Sequence, residues 1–202
     1  MAAKRAPEPD LLTTAFALLA EQGWAGLSLM ALAARANLSL VEVHRQLPGR
    51  RAILLALSER VDEAMLVIDQ SELEGLPARD KLFELIMRRF DALAPFRAGL
   101  SRLAGDARRD PCILMLTLCR LDPSLRWMQE LAGLRTHGLR ARLQRRGLTA
   151  LYVQALRTWL ADDSGDRAKT MAELDTLLRR FERVAGLGER AKAGSGEAAQ
   201  PA

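Results

Sequence analysis

Aromatic side chains are scarce in this sequence: they make up 4% of its 202 residues, with a single tyrosine among them. Runs rich in Val, Ile, Thr and Tyr, the usual material of strands, are absent as well. Ala, Leu and Arg take their place, and these residues lose little side-chain freedom in a helix. The composition therefore predicts an all-α protein. Long apolar runs are also missing. The longest last a few residues, against the roughly 20 that a membrane-spanning helix needs, so no transmembrane segment is expected. The opening MAAKRAPEPD carries Lys4 and Arg5 with no apolar segment after them, and does not read as a secretory signal. Cysteine is nearly absent. Cys112 and Cys119 stand seven apart in CILMLTLC. On a helix that is about 10.5 Å along the axis, beyond the roughly 7 Å between α-carbons that a disulfide permits. They read as reduced core residues, and the expected location is cytoplasmic. The two histidines, His44 and His137, are far apart and lack ligand spacing, so neither a metal nor a cofactor is expected.

Hydrophobic residues at 49% and charged residues at 27% suit a globular chain of one or two domains. A net charge of +5 permits an anionic partner, whether nucleic acid or an anionic membrane surface.

Apolar periodicity places the helices. Leu12, Ala15, Phe16 and Leu19 form one stripe in a helix from about Pro9 to Gln22, ended by Gly23. Ser28 caps a second helix, in which Leu29, Leu32, Ala33 and Ala36 repeat the spacing. Ser39 caps a third, with Val43 and Leu47 facing inward and Pro48-Gly49 as the stop. Helices this short are marginal alone. Their stripes are satisfied by packing on one another, so residues 9–49 read as a three-helix unit whose second and third members form a helix-turn-helix. The outer side of the third helix, with Leu40, Val41, His44 and Arg45, is left pointing outward. Longer helices follow at about 50–69, 78–93, 111–121, 123–132, 134–146, 148–161 and 167–185. Asp110-Pro111 and Asp122-Pro123 each read as a cap followed by Pro in the first turn. Residues 50–186 form the larger helical domain, 1–8 a flexible arm and 187–202 a disordered Gly/Ala-rich tail.

The last two long helices are apolar on more than one side and so need cover from more than one side. A second copy of the chain supplies it in a four-helix, two-fold interface through Tyr152, Leu156, Trp159, Met171, Leu174, Leu178 and Phe181. The alternative is a pair of helices buried deep in the monomer.

The stretch LLTTAFALLAEQGWAGLSLMALAARANLSLVEVHRQLPGRRAILLAL, about the first quarter of the chain, resembles the DNA-binding domain of TetR-family transcriptional regulators. The likeness lies in the A-x-x-L-x-x-x-x-G-W opening, the S-L-x-x-L-A-x-x-A second helix and the Leu-Ser start of the third. The family usually has Tyr and Phe where this chain has His44 and Leu47, and Lys with an acidic residue where it has Arg50 and Arg51. The resemblance implies an all-helical homodimer with a C-terminal ligand-binding and dimerisation domain, acting on a double-stranded DNA operator. It implies repression relieved by a small molecule, here an unknown apolar ligand. On that reading Ser28 holds a phosphate and the helix after Ser39 enters the major groove. Arg45 meets a guanine edge, Leu40 and Val41 meet thymine methyls, and His44 and Arg50 grip the backbone.

Against this stands a weak charge. Residues 10–60 hold five arginines and four acids, a net +1, and Glu42 lies on the recognition helix itself. Phe90, Met115, Trp127, Met128 and Trp159 are candidates to line an apolar pocket, with plain core as the alternative. The stretch 152–175, with its W-L-x-D-x-S … T-x-A-x-L-D pattern, is similar to the end of COQ9-type proteins. That likeness implies a second function, a lipid-binding accessory of ubiquinone biosynthesis that keeps the fold without binding an operator. The basic run LRTHGLRARLQRRG, residues 134–147, reads as a solvated helix face or a contact for an anionic membrane. Catalytic groupings are missing: Asp162, Asp163, Asp166 and Ser164 look like a helix end and cap, so an enzyme is not expected.

Overall fold

A computed structural model describes residues 10–185. The arm expected at 1–8 and the tail expected at 187–202 lie outside the described residues. The described chain is helical: α1 Leu11–Gly26, α2 Leu29–Ala36, α3 Leu40–Gln46, α4 Arg50–Leu66, α5 Gln70–Leu73, α6 Ala78–Leu93, a 3-10 turn Ala94–Phe96, α7 Arg97–Ala107, α8 Pro111–Leu131, α9 Gly138–Ala161 and α10 Ala168–Ala185. It divides into two compact units. One holds the residues through Val61 with Ala92–Arg120, the other Asp62–Asp91 with those from Leu121 onward. The first therefore extends beyond the expected 9–49, because α7, which the sequence pattern left unassigned, packs along α1.

That packing is close. At Gly99 a β-carbon would stand 2.5 Å from the Phe16 carbonyl oxygen, so only glycine lets α7 approach. The Phe16 and Phe96 rings meet edge to face at 5.2 Å. Asp10 caps α1, accepting the Leu12 N–H at 3.1 Å and the Thr13 hydroxyl at 2.7 Å, and also takes the Arg60 guanidinium. The Arg60 hydrogen bond is the largest influence holding the Asp10 carboxyl down at about 2. Gly23 does not end α1 outright. It turns the backbone at φ +72°, after which the Trp24 N–H donates to Asp106 Oδ2 on α7 at 2.8 Å.

In the second unit α9 packs along α10. Phe90 of α6 stacks on Trp159 at 5.4 Å, with Tyr152 beside it at 5.7 Å. Arg89, buried, donates to the Tyr152 hydroxyl at 3.0 Å and pairs with Asp62, which also accepts from the Ser124 hydroxyl at 2.7 Å. Burial pushes the Tyr152 hydroxyl up from its ordinary range.

Four expectations need correction. Asp110-Pro111 does open a helix, with Asp110 Oδ1 accepting the Cys112 N–H at 2.8 Å, but Asp122-Pro123 lies inside α8. The Asp122 carboxylate takes Arg145 at 2.8 Å instead of capping, and buried Leu121, Leu125 and Met128 carry one stripe across the proline. Residues 138–161 are one helix, not two. Gly147 is a packing residue there, since a β-carbon would meet the Phe181 ring at 3.2 Å. Cys112 and Cys119 share a side of α8 as their spacing required, but it is the exposed side. Finally, Tyr152, Trp159, Leu174, Leu178 and Phe181, expected at a two-fold interface, are buried within their own unit. Of the residues expected at the interface, half-buried Leu156 and exposed Met171 stay outside.

Candidate nucleic-acid interface

The helix-turn-helix is α2 and α3 with a turn between them. Ser28 caps α2, its hydroxyl oxygen accepting the Ala31 N–H at 3.1 Å. Asn37 closes α2 in the left-handed conformation, φ 54° and ψ 43°, which Asn tolerates better than most residues. The Leu38 N–H then returns to the Ala33 carbonyl at 3.1 Å. Ser39 follows at once as the cap of α3. The joint is short because three consecutive residues finish one helix and start the next.

Only Val43 of α3 is fully inside, with Leu47 just beyond it. The opposite side is open: Leu40 is 49% and Val41 60% exposed, and His44 and Arg45 are exposed too. Among the described residues neither His44 nor Arg45 has a hydrogen-bond partner. Apolar, basic and imidazole groups on one open helical side can meet base edges and phosphates together.

Three of the four acids of residues 10–60 are engaged by neighbours. Asp10 is paired with Arg60, and Glu21 with Arg35 at 2.6 Å, which draws the Glu21 carboxyl below its usual range. Glu42 turns back on its own helix. One carboxylate oxygen accepts the Ser39 N–H at 2.9 Å and the Ser39 hydroxyl at 2.7 Å, while the Glu42 N–H donates to Ser39 Oγ at 3.2 Å. This reciprocal capping was readable in S-x-x-E, residues 39–42, and sequence reasoning missed it. Ser39 is thereby engaged in holding α3. The Asp10–Arg60 and Glu21–Arg35 pairs each also neutralise an arginine, so residues 10–60 keep their net +1, and among the described residues Arg45, Arg50 and Arg51, on and just after α3, have no ion-pair partner.

Arg50 has a second task. Its guanidinium donates to the Trp24 carbonyl at 2.9 Å and lies 5.6 Å from the centre of the Trp24 ring, tying the end of α1 to the start of α4. Its remaining N–H groups can still grip a phosphate.

The candidate pocket residues differ in burial. Phe90, Met128 and Trp159 are buried core, whereas Met115 is 67% and Trp127 46% exposed. The residues behind the second resemblance build a corner between α9 and α10. Buried Asp162 accepts the Ser164 N–H and hydroxyl on one oxygen and the Thr170 N–H (2.9 Å) and hydroxyl (2.6 Å) on the other. These bonds, the Ser164 hydroxyl first, hold the carboxyl well below the usual carboxylate range. Trp159 and Leu174 on either side of the corner are core. Among the described residues no helix is long and apolar enough to cross a membrane, and no acid, His or Cys cluster could hold a metal.

No family model matches the chain, and no curated protein does. Solved structures do. A TetR transcriptional regulator from Nitrosomonas europaea superposes with a TM-score of 0.67 at 26% identity, covering 86% of this chain and 96% of that one. A TetR-family regulator from Streptomyces coelicolor gives 0.60 at 19% identity, covering 93% and 92%. The Bacillus subtilis regulator FadR, solved with stearoyl-CoA, gives 0.53 at 19%, covering 85% and 95%. The resemblance first read in the N-terminal quarter thus extends over most of the described chain, and its fold is that of the TetR-family transcriptional regulators.

Proposed function

We propose that the protein is a DNA-binding transcriptional regulator, a repressor controlled by a small apolar ligand. It acts as a homodimer that sets α3 of each subunit into a major groove of a double-stranded operator. The observation that carries this reading is the open side of α3. A helix of seven residues is held by a capping box and one buried valine, and it leaves Leu40, Val41, His44 and Arg45 facing outward. A fold alone does not need so small a helix to show that combination. Arg45 is the candidate for a guanine edge, Leu40 and Val41 for thymine methyls, and His44 and Arg50 for phosphate, with Ser28 presenting the first turn of α2. An acyl compound is a reasonable class of ligand to try first, since the similar FadR was solved with stearoyl-CoA.

The test is a mobility shift with DNA from upstream of the protein's own gene at two salt concentrations. The expected result is a salt-sensitive shift that Arg45→Ala abolishes without lowering the melting temperature. Arg50→Lys serves better than Arg50→Ala, because it keeps a cation near Trp24. An absent shift at both salts overturns the reading.

A second reading draws on α9. Leu139 and Leu143, one turn apart, are 73% and 58% exposed, and Arg142 and Arg146 beside them are exposed as well. A basic amphipathic surface of this kind suits contact with an anionic membrane, as a lipid-binding accessory of ubiquinone biosynthesis would require. Isoprenoid lipid co-purifying with a chain that fails to shift DNA supports it.

A further inference from the structure

A groove of about 640 Å³ lies within the first unit, where the α3–α4 turn and the opening turns of α4 face the start of α8. Its size falls in the range of small-molecule sites, roughly 300–1,000 Å³. Trp24, Leu55, Ile113 and Leu116 give it apolar surface, and Arg50, Arg51 and Arg120 give it positive charge. One acid, Asp110, also lines it, but one oxygen of that carboxylate is occupied in capping α8 through the Cys112 N–H. Arg50 is held on Trp24. Among the described residues Arg51 and Arg120 have no hydrogen-bond or ion-pair partner. Two uncommitted guanidinium groups beside an apolar wall of this volume are poorly used by water alone. They are complementary to a molecule with one anionic head and an apolar body.

We propose that this groove binds a small amphipathic anion, carrying a carboxylate, sulfonate or phosphate head, and that it is the control site of the regulator. The control role rests on the proposed DNA-binding function; the binding site does not. Pro48 and Gly49, which line the groove, directly follow the last residues of the recognition helix. An occupant that bridges this turn to α8 therefore has differential contact with any two placements of α3, which is what a change in operator affinity requires. The assignment also gives Arg51 and Arg120 a task, which neither the core nor the outer side of α3 does.

The groove carries its own reporter, because Cys112 lines it and is exposed. The experiment uses the full chain with Cys119→Ser and the anionic probe 1-anilinonaphthalene-8-sulfonate, with iodoacetamide alkylation of Cys112 followed by mass spectrometry. Saturating probe is expected to slow alkylation at least fivefold. Arg51→Ala with Arg120→Ala is expected to raise the probe Kd tenfold or more and to remove the protection, at an unchanged melting temperature. The uncharged analogue N-phenyl-1-naphthylamine is expected to protect far less. Equal probe affinity in the double variant, unprotected Cys112, or equal protection by the uncharged analogue each overturns the proposal. A protected Cys112 in a chain that never shifts DNA leaves the site standing and sinks the regulator reading. A salt-sensitive DNA shift without protection does the reverse.

Discussion

Removing Glu42 separates two accounts of α3. If its carboxylate chiefly repels phosphate, Glu42→Ala tightens DNA binding. The structure supports the opposite outcome, because that carboxylate accepts both the N–H and the hydroxyl of Ser39. Losing an exposed reciprocal cap costs about 1 kcal/mol, the middle of the range for cap residues. At this chain length about 1 kcal/mol corresponds to a fall of roughly 2–4 °C in melting temperature. α3 has only seven residues, far fewer than an independent helix needs, so fraying at its start reaches Leu40 and Val41 directly. If binding has to re-form that turn, the same 1 kcal/mol weakens each half-site about fivefold, and roughly 30-fold for a dimer that engages both α3 helices, from RT of roughly 0.6 kcal/mol. Glu42→Gln is the control: it removes the charge but keeps an acceptor that a capping box can use. Thermal melting by circular dichroism and a DNA titration on the three proteins decide the matter. Expected are a lower melting temperature and weaker binding for Glu42→Ala, with Glu42→Gln close to the parent in stability. If both variants bind DNA more tightly at an unchanged melting temperature, the capping argument is wrong.

Other perturbations test the frame that holds this helix. Gly99→Ala places a methyl 2.5 Å from the Phe16 carbonyl oxygen, and forcing α7 off α1 is expected to cost about 1–3 kcal/mol by denaturant melt. Arg89→Ala strands the Asp62 carboxylate and the buried Tyr152 hydroxyl; a loss of roughly 3–5 kcal/mol is expected, with Arg89→Met together with Asp62→Leu recovering much of it. The Asp10 carboxyl, held at about 2 in the folded chain against 3.8 ordinarily, binds fewer protons folded than unfolded. Its contribution is therefore complete above about pH 4 and lost as the pH falls towards 2, and Asp10→Asn is expected to flatten the melting temperature over that window. Because the Asp10–Arg60 pair is half exposed, the effect stays within about 1 kcal/mol.

The local features of the first unit were legible in sequence. Stripe spacing placed Leu12, Ala15, Phe16 and Leu19 inside, Ser28 and Ser39 cap where they were expected to, and Val43 and Leu47 are buried while Leu40 and Val41 are not. All of this follows from helical period and from side chains reaching backbone within three residues of themselves. The Ser39–Glu42 box has the same range and could have been read.

Spacing cannot report what comes from elsewhere in the chain. It put Cys112 and Cys119 on one side of α8 but could not say which side the core would take. It read Asp122-Pro123 as the start of a new helix and left Gly147 between two helices, whereas stripe packing carries α8 through the proline and the Phe181 ring packs against the glycine within one α9. It showed that α9 and α10 needed cover, but not that their own unit would bury Tyr152, Leu174 and Phe181. Summed charge gave +1 for residues 10–60 but could not say that Glu21 and Asp10 pair with Arg35 and Arg60, 14 and 50 positions away, and that Arg45, Arg50 and Arg51 are the cations on and just after α3. Helical period and caps are settled by neighbours a turn away. The choice of buried side, of ion partner and of open groove belongs to contacts between helices, and only the folded chain makes them.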